Sequence, residues 1–153
     1  MNSRKRSRPS AEAGTAAVEA VLIMSVLSLA VVGGVETARA LWTYNTMLMA
    51  VEQAGRYAMM YNYRPPAICV TQTQASQCPA LSNTPLANCS AWYAQQILAA
   101  YQAPAIAVSV AVDTTTSPAE ITICASHSFN FIAPQLLPYG PLDLLSSVTV
   151  PMI

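Results

Sequence analysis

This chain is poor in charge. Only 9% of its 153 residues are charged, where soluble domains are nearer ~25%. The few charges are also unevenly placed. Arg4, Lys5, Arg6 and Arg8 supply four of the seven basic residues, Arg39, Arg56 and Arg64 the other three, and no Lys or Arg follows. A surface without cations does not neutralise phosphates, which excludes nucleic-acid binding for the part beyond Arg64. That part is equally poor in catalytic groups: the acids Asp113, Glu120 and Asp143, the single histidine His127, and no G-x-S-x-G sequence. Nucleophilic and general acid–base chemistry are not expected there, and neither is a cofactor.

What the chain has instead is apolar surface, 54% of its residues. A chain of this balance enters a membrane or packs into a larger assembly, and its length allows one modest domain. From Ala20 to Val35 the run "AVLIMSVLSLAVVGGV" carries no charge. With "TAAVE" in front it reaches about 21 residues, close to the ~20 a spanning helix needs. The basic cluster ahead of it orients such a helix with its N-terminus in the cytoplasm and the rest of the chain outside.

Three processing outcomes fit this N-terminus. The helix is retained uncut; or signal peptidase cuts after the A-x-A-like "ARA" at Ala38–Ala40 and releases a secreted or periplasmic disulfide-bonded binding module beginning at Leu41; or cleavage on the cytoplasmic side leaves the helix in the mature protein. The pattern downstream argues for retention. At 100° per residue Leu41, Tyr44, Met47, Leu48, Val51, Ala54, Gly55 and Ala58 share one face, opposite Arg39, Asn45, Thr46, Glu52, Gln53 and Arg56. The amphipathic helix thus continues through the signal-peptidase site, and "RPP" at Arg64–Pro66 ends it. One helix from about residue 16 to 63 would be roughly 70 Å long at 1.5 Å per residue, with Gly33-Gly34 the expected place for a kink.

Glu19 is the anomaly in this segment. A carboxylate costs about 2.5–3.5 kcal/mol at the centre of a membrane helix, and less near its end, where it is a headgroup-level residue of no consequence. A functional reading asks for a cationic partner. Cleavage after Gly14 would make Thr15 the new N-terminus and Glu19 the fifth mature residue, within reach of a neighbouring subunit's α-amino group.

Gly14, Thr15 and Glu19 followed by a long apolar helix resemble a prepilin, and "VETARALWTYNTMLMAVEQAGRYAM", Val35–Met59, resembles the TadE family of pilus-assembly pseudopilins. The residues carrying the resemblance are Glu36, Arg39 and Trp42 after the apolar run, and Gly55-Arg56 near the end of the helix. The resemblance implies a minor pseudopilin of a Tad (Flp-type) pilus in the bacterial inner membrane, cut by a prepilin peptidase. Its implied partners are membrane lipid, other pilins and pseudopilins, and the Tad inner-membrane assembly platform. It also implies an α+β, pilin-like fold: a long N-terminal helix packed on a small antiparallel sheet. The organisation expected is a basic leader at 1–14, a transmembrane helix at 15–36, its amphipathic continuation at 37–64, and an extracytoplasmic domain at 65–153.

In that last part, Ala67–Asn88 reads as irregular apart from a possible strand at Ile68–Thr71. Ser90 is placed to cap a helix running to about Tyr101. Strands are expected at Ala105–Val112, Glu120–Ile132 and about Ser147–Met152, giving three or four strands whose apolar face packs on the helix stripe. In the second strand Ile121, Ile123, Ala125, Phe129 and Phe131 alternate with Thr122, Cys124, Ser126, Ser128 and Asn130, which sets His127 on the apolar face as a partly buried structural residue. Cys69, Cys78, Cys89 and Cys124 all lie outside the membrane segment and are expected to form two disulfides, with three connectivities open. Cys124 points to the polar face, and Cys89 and Cys69 are its candidate partners. A metal site at Cys124-x-x-His127 is the rival reading, weakened by the lack of a second close pair. "NCS" at Asn88–Ser90 fits a glycosylation triplet but reads as a helix cap. Met47, Met49, Met59 and Met60 read as filler along the helix–sheet seam.

Overall fold

The computed structural model describes residues 11–61, 69, 74–75, 77–103, 106–132, 134 and 140–152. The elements are α1 (Ala11–Tyr61), α2 (Pro85–Ala100), β1 (Ala107–Asp113), β2 (Glu120–Phe129) and β3 (Leu142–Pro151). This is the α+β plan expected, with three strands among the described residues. The strand expected at Ile68–Thr71 falls almost wholly outside the described residues, as do residues 62–68 beyond α1. The chain divides into two compact units, Met1–Thr37 and Ala38–Ile153.

The first unit contains the apolar half of α1. Val18, Val21, Leu22, Ile23, Met24, Val26, Leu27, Leu29 and Val31 are all at least half exposed. An α-helix that is hydrophobic on every side has no water-facing surface, the pattern of a membrane span. Its few hydroxyls are satisfied internally: Ser25 Oγ donates to the Leu22 carbonyl, Ser28 Oγ to Met24 and Thr37 Oγ1 to Gly33, each at 2.8 Å. In hydrocarbon that matters, because no water is present to take an orphaned donor. Helical structure continues unbroken through Gly33 and Gly34.

The second unit is built on an antiparallel sheet of order β1-β2-β3. Ile123 stands opposite Val110 on one side and Val148 on the other, and Ile121 opposite Val112 and Val150. These side chains form one apolar face. α2 covers it with Leu86, Ala87, Ala91, Ala94 and Leu98, and α1 with Met47, Ala50, Val51, Ala54 and Ala58. The buried stripe of α1 is rotated from the one expected. Leu41 is exposed at 57%, while Thr43, Thr46, Ala50 and Tyr57 are buried. Thr46 was expected on the polar side. It can be buried because its Oγ1 donates to the Trp42 carbonyl at 2.8 Å, as Thr43 Oγ1 does to Arg39 at 3.0 Å, which removes the desolvation penalty of a bare hydroxyl. Of the four methionines, Met47 is fully buried, whereas Met49, Met59 and Met60 are exposed.

α2 begins earlier than the sequence suggests. Its N-cap is Thr84, whose Oγ1 accepts from the Ala87 amide at 3.2 Å, and Pro85 follows it. Proline at the first helical position costs no hydrogen bond and presets the helical φ. Ser90, expected as the cap, is buried in the helix interior instead. At the far end Gln102 N–H donates to the Ala99 carbonyl and Ala103 N–H to Leu98, both at 3.0 Å. These bonds turn the chain through Gln102, which adopts φ 51°, the left-handed conformation that glycine usually supplies at this position.

The second face of the sheet is crossed by the segment from Gln74 to Ser82, folded around one amide. Gln74 Nε2 donates to the carbonyls of Ala75, Cys78 and Pro79 at 3.0–3.2 Å, and its Oε1 accepts from the Leu81 amide at 3.0 Å. The segment touches all three strands in turn. Ser82 N–H donates to Val110 on β1 at 2.9 Å, Cys78 is disulfide-bonded to Cys124 on β2, and Gln77 Nε2 donates to Asp143 Oδ2 on β3 at 3.0 Å. Ser109, Cys124 and Ser126 on this face are consequently buried.

Candidate membrane and assembly segment

The sequence places its candidate residues at intervals along α1, and each half of the helix is informative. In the first unit, Gly14 and Thr15 lie in the opening turns of α1, with open space around Gly14. Glu19 sits one turn beyond Thr15 and is exposed. Glu36, at the end of the apolar run, is only 3% exposed. The apolar helix is long and apolar enough to cross a membrane.

In the second unit, Gly55 lies at a close approach of α1 to the sheet. A Cβ at this position would stand 3.3 Å from Val148 Cγ1, 3.5 Å from Val150 Cγ1 and 3.9 Å from Ile123 Cδ1. The smallest residue therefore sits opposite the β-branched side chains of β3. Arg56, next to it, is exposed, as is Glu52 one turn back.

Arg39 and Trp42 lie elsewhere, at the mouth of a cleft of about 540 Å³. Its walls are Arg39, Trp42 and Thr43 of α1, Gln102 after α2, and His127, Ser128, Phe129 and Asn130 at the end of β2. Arg39 Cζ is held 5.3 Å from the centre of the Phe129 ring, within cation–π range. Phe131 meets Phe129 edge to face at 5.5 Å. His127 is partly buried, as its place on the apolar side of β2 suggested. The sequence reading missed the cleft itself. Gln102 and Asn130 sit beyond the ends of their elements, and only the fold brings them to Arg39.

The cysteines form two disulfides, Cys69–Cys89 and Cys78–Cys124. The expectation that Cys124 pairs with Cys89 or Cys69 is corrected. Cys89 lies inside α2, which covers the opposite face of the sheet, so it does not reach Cys124; Cys78 does, on the segment that crosses the polar face. The metal reading at Cys124-x-x-His127 loses its sulfur ligand, because the Cys124 Sγ is bonded to Cys78. Among the described residues no group of three or more His, Cys, Asp or Glu side chains is placed to hold a metal ion.

At the opposite end of α1, Tyr57 stacks on Tyr93 of α2 at 4.7 Å and meets Tyr61 at 4.6 Å. Its hydroxyl is buried without a hydrogen-bond partner among the described residues. Burial, with the neighbouring Tyr61 and Tyr93, pushes the phenol above its ordinary pKa.

Residues 14–56 match the family model described as TadE-like protein, which associates this segment with Tad pilus systems. The match starts at Gly14 and ends at Arg56, so it covers the apolar helix and the start of its packing on the sheet. No curated protein and no solved structure matches the chain.

Proposed function

We propose, from the premise that residues 14–56 form a TadE-like segment, that this protein is a minor pseudopilin of a Tad (Flp-type) pilus. It would be anchored by residues 15–36 in the bacterial inner membrane, with its N-terminus cytoplasmic and its disulfide-bonded unit outside. Its role is structural: chemistry is done to the chain and not by it. A prepilin peptidase would cut between Gly14 and Thr15, near the start of α1, where helix ends open at little cost and glycine is a weak helix former. The Ala40–Leu41 bond of the signal-peptidase alternative lies in the helix interior.

The observation that carries the proposal is the exposed apolar run of α1 from Thr15 to Val35, with Glu19 its one carboxylate. Such a surface is stable in lipid or against the like helices of other pilins. Within either, Glu19 needs a cation, and the α-amino group of Thr15 on a neighbouring subunit has the right charge and depth. Partners would therefore be other pilins and pseudopilins and the Tad assembly platform. Mass spectrometry of the mature N-terminus tests the reading: a chain starting at Thr15 is expected. A start at Leu41 would establish the secreted module instead, and an intact Met1 would remove the peptidase step.

A further inference from the structure

We propose that the outer edge of β3 is a docking site for an extended segment of a partner protein, which joins the sheet as an antiparallel fourth strand. The site lies wholly within the unit Ala38–Ile153. Three observations carry it.

The first is that the two edges of the sheet differ. β1 is met by Ser82, whose N–H donates to the Val110 carbonyl at 2.9 Å and whose Oγ accepts from the Val112 amide at 2.8 Å. Among the described residues, no backbone group outside β2 pairs with Leu142–Pro151, and Gln77 reaches Asp143 through side chains alone. Every second residue of this ten-residue strand therefore turns an N–H and a C=O outward. The usual protections of an edge are missing too. Pairing with β2 runs from Glu120↔Pro151 to Phe129↔Leu142 without a bulge, the strand has no Lys or Arg, and its one proline comes last.

The second is that the apolar face of the sheet is less well covered at β3. Val108 and Val110 on β1 are fully buried, whereas Leu144, Val148 and Val150 on β3 are half-buried and Leu142 is 46% exposed. One more strand beyond β3 would cover these side chains.

The third is a flank of α1 that the sheet does not absorb. Gly55 faces Val148 and Val150, and at 100° per residue Leu41, Leu48 and Met59 lie within about 40° of it. Leu41 and Met59 are exposed and Leu48 is half-buried. Leu41 and Leu48 are the part of the expected amphipathic stripe left outside the core.

These features define the occupant. A row of outward N–H and C=O groups recognises extended backbone, not a helix or a lipid. The α1 flank asks for apolar side chains at alternate positions of the segment. The charge on β3 is one acid, Asp143, with no cation, so a basic residue is favoured opposite it. The sequence of β3 also provides a probe. In an antiparallel register centred on Ser146, a peptide copy of Leu142–Pro151 sets Leu142 against Val150, Leu144 against Val148, and its own Thr149 against Asp143.

The test uses the full chain in detergent micelles and the labelled peptide LDLLSSVTVP, read by fluorescence anisotropy against empty micelles. Saturable binding is expected, with amide exchange slowed at least tenfold at alternate residues of β3. No binding, or binding that leaves those amides unprotected, would overturn the site. Two further peptides carry N-methyl groups on their even or on their odd residues. One should bind at least tenfold more weakly than the other, because only alternate residues of an added strand face β3; equal binding would overturn strand addition. Thr149→Lys in the peptide should bind at least threefold more tightly than Thr149→Glu, and the reverse order would overturn the antiparallel register. In the protein, Leu41→Gln with Met59→Gln should weaken binding at least threefold without lowering the thermal midpoint; unchanged binding would overturn the part assigned to α1. Any self-association of the full chain should be insensitive to the peptide. A dimer that the peptide dissolves would give the edge to a second copy and overturn the assignment to a different partner.

Discussion

Gly55 and Val148 meet closely across the helix–sheet seam: a Cβ on Gly55 would stand 3.3 Å from Val148 Cγ1. Alanine would displace one methyl by a few tenths of an ångström, while gaining helix propensity of about 1 kcal/mol. A larger side chain has no such outlet, because Val150 and Ile123 close the space behind. Gly55→Leu is expected to destabilise the second unit by about 1–3 kcal/mol, the usual cost of overpacking. Thermal unfolding in detergent, followed by circular dichroism, checks it. A midpoint at or above that of the wild type would show that the seam is looser than its geometry implies.

The Cys78–Cys124 disulfide ties the segment over the polar face to the central strand and closes 46 positions of sequence. Loop-closure entropy of that span corresponds to about 4 kcal/mol in the chain-entropy treatment. Cys78→Ser with Cys124→Ser should lower stability markedly and expose Ser109 and Ser126. Non-reducing peptide mapping should recover Cys69 linked to Cys89 and Cys78 linked to Cys124. Recovery of Cys89–Cys124 would refute the placement of α2 on the other face.

Tyr57 gives an alkaline prediction. Its pKa is raised by burial and by Tyr61 and Tyr93, so its share of stability is present below the unfolded value near ~10 and is lost as pH rises through the folded value. The hydroxyl is also buried without a partner among the described residues. Tyr57→Phe is therefore expected to leave stability at pH 7 unchanged or slightly higher, and to move the alkaline unfolding midpoint upward. Paired pH titrations of unfolding measure both; a large loss at neutral pH would mean the hydroxyl has a partner.

Asp113 gives the acid counterpart. Its carboxylate accepts from Thr115 Oγ1 at 2.6 Å and from the Thr115 amide at 2.8 Å, and these bonds hold its pKa below the usual value, the side-chain bond foremost. The contribution is present above the unfolded pKa and fades as pH falls through the folded one. Asp113→Asn should reduce the acid sensitivity of the β1–β2 turn, visible in the pH dependence of the Thr115 amide resonance. Because the group lies at the surface, the global unfolding midpoint should hardly move.

Glu19 separates insertion from assembly. Glu19→Ala removes the acid within the first half of the 15–36 span, which should leave membrane fractionation intact or strengthen it, since an ionised carboxylate only opposes burial in lipid. Pilus production should fall. Normal piliation with normal processing would leave Glu19 without the partner proposed for it.

The sequence by itself determined the apolar span, its continuation as an amphipathic helix and the places of the strands, because each depends on periodicities of 3.6 and 2 that local side chains impose; the TadE-like motif was legible only as a resemblance. The cap of α2 falls at Thr84-Pro85 and not at Ser90 in "NCS", which the sequence pattern favours. Tertiary structure decided what periodicity cannot express. It rotated the buried stripe of α1 toward Thr43, Thr46 and Ala50, because back-bonded hydroxyls and small residues let the helix lie close to the sheet. It chose Cys78 over Cys89 as the partner of Cys124, because α2 and the Gln74-centred segment occupy opposite faces of one sheet. It also brought Arg39, Gln102, His127 and Asn130 to a single cleft from three distant parts of the chain. A local pattern records which face a residue takes; only packing settles what that face meets.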